Sequence, residues 1–302
     1  MTALLEVALF LVLGRALASV RGLPRETPAA LIGWVLYVAW PAAALQSAPS
    51  VHLDGALLGG VAWLWGLFAF ALVAVTIAIM RFGLRRPIGG AVLLASGAGS
   101  TAGFALPFIE RYCGAHCLAP AIVLSVLGGA LAFSVLGVGA SCVISQGRVC
   151  VALIVRQILA FPPLVALLIG LIVPRSVLPQ FLQLTAHDLA ATLAPVSIVA
   201  VGMYLRTLPQ RKRLAPICAA LGFKLLLAPA AVLLGFALLG PELGSFGKLL
   251  VLLAAMPPLI TSIAVAREYQ LEAELSAEIA ALGASVALIT VPLWGMTLEY
   301  LA

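Results

Sequence analysis

From Leu249 to Glu268 the chain reads LLVLLAAMPPLITSIAVARE, a run apolar and long enough to cross a membrane, with two prolines near its middle. Pro257 and Pro258 carry no backbone N–H, so a helix through them leaves the carbonyls of Leu253 and Ala254 without their usual partners. The residue ahead of a proline also avoids the helical conformation, which places the break near Met256. Hydrocarbon offers no replacement hydrogen bonds, so such a break survives only inside protein or beside a water-filled cavity. Thr261 and Ser262 follow it closely and supply hydroxyls there. A helix merely kinked by proline is the plainer alternative. Either way, the rest of the chain has to enclose this stretch.

The rest of the chain is built to do so. It has 302 residues, 64% of them hydrophobic and only 9% charged, with a mean hydropathy of +1.19. Soluble domains carry about 25% charged residues, so this is an all-α polytopic membrane protein. Apolar windows of about 20 residues fall at roughly 3–20, 28–46, 55–80, 89–111, 118–144, 157–174, 184–205, 214–239, 246–267 and 273–300. These make ten expected spans, joined by connections too short for an inserted soluble domain. The first has Glu6 and no basic region ahead of it, which reads as a retained span rather than a signal peptide. The net charge of +6 comes from short basic clusters between windows. That is the pattern of cytoplasmic loops and not of a nucleic-acid surface.

The basic clusters also set the orientation. With the N-terminus outside, the inner loops collect 13 of the 17 Lys and Arg residues, among them Arg85, Arg86, Arg211, Lys212, Arg213 and Arg267. Arg111, Arg175 and Lys248 fall outside, and Lys224 lies within span 8. Both termini are therefore expected on the periplasmic side of a cell inner membrane.

Two halves are discernible, 1–146 and 147–302. Tyr37-Val-Ala-Trp-Pro41 in span 2 matches Ala191-Thr-Leu-Ala-Pro195 in span 7, and Pro107 in span 4 matches Pro257 in span 9. Five spans per repeat is an odd number, so the second copy is inverted in the membrane, with spans 4 and 9 as its equivalent Pro-broken helices. Span 4 brings the small-residue run Ala95-Ser-Gly-Ala-Gly-Ser100-Thr101-Ala-Gly103 ahead of Pro107, and small residues let another backbone come close. Crossing is expected near Gly103–Pro107 and Met256–Pro258. The N-termini of the two second half-helices then meet near the midplane, a point suited to an anion.

These motifs, in this order, resemble the auxin efflux carrier family over essentially the whole chain. They are Tyr37 to Leu45, Ser100 to Pro107, Pro162 to Gly170, Leu193 to Val196 with Gly202, Lys224 to Pro229, and Ala255 to Tyr269. The resemblance implies a secondary carrier of a small organic anion. In it spans 3–5 and 8–10 would cross and move, elevator-like, against a scaffold of spans 1, 2, 6 and 7, often in a homodimer. The implied substrate-binding crossover is Ser100, Thr101, Gly103, Pro107, Met256, Pro257, Pro258, Thr261 and Ser262. Where that family carries Asn, this chain has Ser100, and Thr261 or Ser262 after the proline pair. A hydroxyl donates fewer hydrogen bonds than an amide, so the anion need not be auxin or malonate. A sodium-coupled symporter of bile-acid-like amphipathic anions is the alternative, since those carriers share the architecture.

Two charges are candidates for attracting or coupling. Lys224 lies about ten residues into span 8, or roughly 15 Å along a helix, close to the middle of the hydrocarbon core. It either contributes positive charge for an anion or donates to carbonyls freed by a break. Glu278, near the start of span 10, is the proton-relay candidate, although a carboxylate in a first helical turn also suits the dipole. The three His, with Asp54, Asp188 and Cys113-Gly-Ala-His-Cys117, are metal-ligating types without a standard zinc spacing. No metal or other cofactor is expected, and Asp54 and Asp188 are expected as N-caps of spans 3 and 7. A Cys113–Cys117 disulfide is left open, and the five tryptophans are expected as ordinary membrane aromatics. An intramembrane enzyme would need a His, paired carboxylates or a nucleophile–base pair at depth; the three His are read as loop residues and no two acids share a mid-span face, so no catalytic residue is assigned. The orientation has a direct check. Tags fused at residue 1 and at residue 302 should both be labelled from outside in intact cells, and a cytoplasmic C-terminus would remove the inverted repeat as well.

Overall fold

In lipid, a chain this apolar satisfies its backbone most readily as helices, and helices are what form. The computed structural model describes the chain apart from residues 1, 25, 52–53, 101–102, 149–150, 174–176, 205–210, 240–242 and 302, and apart from the side chains of residues 2–4, 211 and 239. Among the described residues the regular structure is helical, save one isolated bridge between two backbone segments. The first half contains α1 (Thr2–Leu17), α2 (Thr27–Ser50), α3 (Gly55–Phe82), α4 (Arg86–Gly97), α5 (Leu106–Cys113) and α6 (Ala115–Gln146). The second contains α7 (Val151–Leu159), α8 (Pro162–Ile172), α9 (Gln180–Tyr204), α10 (Leu214–Leu238), α11 (Ser245–Ala254), α12 (Ser262–Glu268) and α13 (Ala273–Tyr300).

Six of these, α2, α3, α6, α9, α10 and α13, are long and apolar enough to cross a membrane, and α7 with α8, bent by 55°, count as a seventh. The chain is therefore a multi-pass membrane protein. The other three expected spans are not single long helices. α1 has 16 residues, and the windows at 89–111 and 246–267 each divide into two short helices, α4 with α5 and α11 with α12.

Local chemistry explains several ends. Asp54 caps α3 as expected, its carboxylate accepting from the Leu57 N–H at 2.8 Å. Gly83, at φ 65°, closes the same helix in the left-handed conformation that glycine adopts at no steric cost. Asp188 is different: α9 already begins at Gln180, so Asp188 lies inside the helix and caps nothing. The apolar window had placed that start too late, because the first turns of α9 are mixed rather than apolar.

Packing divides the helices into two kinds. Leu249 through Met256, and Gly89 through Ser96, are buried on every side. A helix apolar all round has no solvent face and belongs in an interior. The first halves of both broken spans thus run through the middle of the protein. By contrast α3 and α9 show large apolar side chains outward, such as Phe70, Met80 and Phe181, as a lipid-facing surface does.

Small residues let the outer helices close on one another. A Cβ on Gly14 of α1 would collide with the Val199 carbonyl of α9, and one on Gly202 of α9 would collide with the Leu11 carbonyl of α1. On the other side, a Cβ on Gly170 of α8 would lie 2.7 Å from the Leu45 carbonyl of α2. Gly202→Ala should therefore destabilise the protein by about 1–3 kcal/mol, the usual cost of overpacking. Gly59→Ala, which faces open space, should not. Thermal unfolding in detergent measures both, and equal melting temperatures would contradict the close α1–α9 approach.

Candidate functional site

The two breaks meet. α4 ends at Gly97 and α5 begins at Leu106, while α11 ends at Ala254 and α12 begins at Ser262. Between them the Ser100 N–H donates to the Pro257 carbonyl at 2.7 Å, and Gly99 pairs antiparallel with Pro258. Proline has lost its donor but keeps its acceptor, and Ser100 has a donor released by the end of α4. Each break supplies what the other lacks. The contact lies at Gly99–Ser100 rather than at Gly103–Pro107 as the sequence led one to expect. Ala98 to Ser100 have already left the helix well before the proline, which instead occupies the first turn of α5. On the other side the contact falls at Met256–Pro258, as expected.

Glycines make the approach sterically possible. A Cβ on Gly99 would stand 3.1 Å from both Met256 Cβ and Lys224 Nζ, and one on Gly283 of α13 would collide with the Pro258 ring. Beyond the crossing, Gly103 abuts Ser197 of α9 so closely that a Cβ there would overlap its side chain. Ser197 in turn donates to the Leu193 carbonyl one turn back.

A cleft opens from this point. Its deep end is a pocket of about 50 Å³ bounded by Ser100, Gly103, Thr261, Ser197 and Trp40. It shares Trp40, Leu259, Ile260 and Thr261 with a larger space of about 530 Å³ that runs to Gln157, Tyr204, Arg267 and Glu268. Arg267 lies in the last turn of α12. Four π-helical turns, Val35–Ala39, Ser125–Ala130, Phe133–Val138 and Phe223–Leu227, border the cleft or the crossing. Such turns add a residue to a helix and often accompany functional sites.

The residues singled out from the sequence therefore divide. Ser100, Gly103 and Thr261 line the pocket together. Met256 is wholly buried beneath Gly99. Pro257 provides the accepting carbonyl, and Pro258 backs onto α13. The Ser262 hydroxyl is turned into the break, donating to the Leu259 carbonyl at 2.6 Å. Pro107 does not border the pocket, and Thr101 lies outside the described residues. The half-helices α5 and α12 have eight and seven residues, so each presents a few free N–H groups rather than a full macrodipole.

Lys224 is 4% exposed, with Nζ against the α4 break at Gly99, and it does not line the cleft. Among the described residues no carboxylate comes within ion-pair distance of it. Glu278 sits in an ionic cluster at one end of α10 and α13. Arg213 donates to Glu274 at 2.8 Å and to Glu278 at 2.9 Å, with Glu272 at 3.8 Å. Those bonds, to Glu274 foremost, raise the pKa of the guanidinium above its usual range. One Glu278 oxygen, Oε2, is buried without a hydrogen-bond partner among the described residues. No group of three or more His, Cys, Asp or Glu residues is gathered for a metal among the described residues, and His52 lies outside them. Cys113 and Cys117 are free thiols.

Sequence reasoning missed two members of the pocket, Trp40 and Ser197. The available signal was their position beside the repeat-related prolines, Trp40 directly before Pro41 and Ser197 two residues after Pro195. Three of the five tryptophans make hydrogen bonds within the protein. Trp34 donates to Thr192 Oγ1 at 3.0 Å, Trp65 to the Leu127 carbonyl at 2.9 Å and Trp294 to the Leu225 carbonyl at 2.9 Å.

Residues 146–295, just under half of the chain, match a family model described as membrane transport protein. No curated protein matches the chain. The match, with the long apolar helices, indicates a membrane transporter. The closeness of Gly103 to Ser197 gives the site its own test. Gly103→Ala should lower ligand binding and thermal stability, and adding Ser197→Gly, which removes the overlapping side chain, should restore part of both. Failure of the second change to help, measured on purified double variant against single, would show that the two positions do not touch.

Proposed function

We propose that the chain is a secondary carrier of a small organic anion across the cytoplasmic membrane, of the auxin efflux carrier type. The observation that carries this reading is the pair of helix breaks bonded to each other inside the protein, with a cleft leading from them to the end that bears Arg267. Broken helices at equivalent places in two repeats are how carriers expose backbone and hydroxyl groups to a ligand at membrane depth.

The ten-span, inverted-repeat arrangement belongs to the same proposal. Supporting it, α1 packs on α9 through Gly14 and Gly202, while α8 packs on α2 through Gly170. In repeat terms, the first helix of each half closes on the second helix of the other, a reciprocity a two-fold relation would produce. On this reading α1, α2, α7, α8 and α9 form the scaffold, and the crossing helices move against it at the cleft. The cleft then opens inward, both termini are periplasmic, and Glu278 is a place where a proton could couple to the motion.

Proteoliposomes containing the purified protein should take up labelled carboxylates saturably, above protein-free vesicles. Pro257→Ala combined with Pro258→Ala should abolish uptake while leaving the protein inserted, because it removes the reason for the break. Runs with a pH gradient and with sodium identify the coupling. A strict sodium requirement would move the reading to sodium symport of amphipathic anions, and absence of any carboxylate flux would refute it.

A further inference from the structure

One groove on the outer surface of the helices ends in a charge. It holds about 510 Å³ between the closing turns of α3 and α6, beside the start of α4. From α3 come Leu72, Val75 and Ile79, and from α6 Leu136, Ala140 and Val143. Each set repeats at the three- and four-residue spacing of a single helix face. The buried Leu93 of α4 lines it as well. Two turns earlier on the same face of α4 stands Arg86, exposed and also bordering the groove.

Length and chemistry define the occupant. Leu72 to Met80 extend about 12 Å at the helical rise, close to one leaflet of a hydrocarbon core about 30 Å thick. Thr76, the other polar side chain in the lining, donates to the Leu72 carbonyl at 2.7 Å, so the walls below Arg86 ask for no polar partner. An apolar trough of leaflet depth in a multi-pass membrane protein suits an acyl chain. The mouth selects the head group. Arg81 lies in the last turn of α3, and Arg85 directly precedes α4. Arg85 stands 3.8 Å from Glu272, which Arg213 also approaches at 3.8 Å. Arg81 and Arg86 are in no ion pair among the described residues. A guanidinium grips phosphate oxygens through paired N–H donors, whereas a head group bearing an ammonium would be repelled by this cluster. A second groove, of about 880 Å³ between α3 and α10, is lined by no charged side chain and has no such preference.

We propose that this groove binds an anionic phospholipid, with one acyl chain lying between α3 and α6 and the phosphate held by the Arg86 guanidinium. Basic pockets between helices at the membrane surface retain acidic lipids in this way. Bound there, the lipid ties the start of α4, the first half of a broken span, to the bilayer surface. Purified full-length protein, delipidated in detergent, is titrated with phosphatidylglycerol and with phosphatidylcholine carrying the same chains. Native mass spectrometry reads the occupancy, and thermal unfolding reads the linked gain in stability. The wild-type protein should bind phosphatidylglycerol at least about tenfold more tightly than phosphatidylcholine and melt at a higher temperature with it. Arg86→Gln should weaken phosphatidylglycerol binding by about tenfold, as loss of hydrogen bonds to a charged group does. Ala140→Phe, which fills the trough, should weaken it as much. Arg21→Gln, at an exposed position between α1 and α2, should leave it unchanged.

Equal binding of the two lipids by the wild-type protein would overturn the proposal before any variant is made. So would unchanged affinity in Arg86→Gln. An Arg21→Gln protein weakened as much as Arg86→Gln would show attraction to the basic surface at large rather than a site. Unchanged affinity in Ala140→Phe would remove the acyl chain from the groove. Should Ala140→Phe fail to fold, Val143→Trp, at an exposed position on the same face of α6, blocks the trough from its rim. The same tenfold loss is expected there, and no loss overturns the proposal. Lipid binding is measured without transport, so these outcomes stand apart from the carrier reading.

Discussion

A backbone group without a hydrogen bond in hydrocarbon costs several kcal/mol, and this chain breaks two of its apolar segments. The bond from the Ser100 N–H to the Pro257 carbonyl lets each broken segment satisfy the other, and much of the fold follows from it. Two backbones can pair only if side chains are absent where they cross, hence Gly99 at the contact and Gly283 behind Pro258. A pair of this kind also has to be shielded from lipid, hence α4 and α11 buried on all faces and wrapped by α3, α10 and α13.

The charged groups take their places around that crossing. An ammonium within a membrane-spanning helix is costly unless its surroundings are polar. Lys224 stands beside the Gly99 break, where backbone has left the helical pattern, and it stands there without lining the cleft. That position favours bracing of the crossing over direct contact with a ligand. Glu278 is likewise tied, by Arg213, into a cluster that joins α13 to the turn before α10. Its unpartnered oxygen is what keeps it a candidate for a proton.

Much of the fold was legible in the sequence because the bilayer allows so few solutions. Apolar windows translate into helices almost directly, and Pro257-Pro258 located one break to within a residue or two. The other break was misplaced because proline marks where a helix restarts as readily as where it stops. In span 4 the helix had already ended in the Ala-Gly-Ser run, and Pro107 opened the next one. Asp188 was misread for a related reason, since a helix can begin before its apolar face does. Ser100, Gly103 and Thr261 could be read as pocket residues because small polar residues at a break have few other uses. Trp40 could not, because a tryptophan in a membrane protein has a default explanation. Only its place in the pocket wall, which is a three-dimensional fact, sets it apart.

The bridge between Gly99 and Pro258 joins positions about 160 residues apart, one in each half of the chain. Contacts so distant in sequence form late, because the chain between them has to be ordered before the pairing returns anything. The first broken segment therefore waits, with its released donors unmet, until the second has been synthesised and inserted. During that interval the half-built protein is a poor resident of the bilayer and a natural target for quality control. A lesion anywhere in 249–261 should then be felt as loss of the whole polypeptide's abundance, well before any question of what it carries arises.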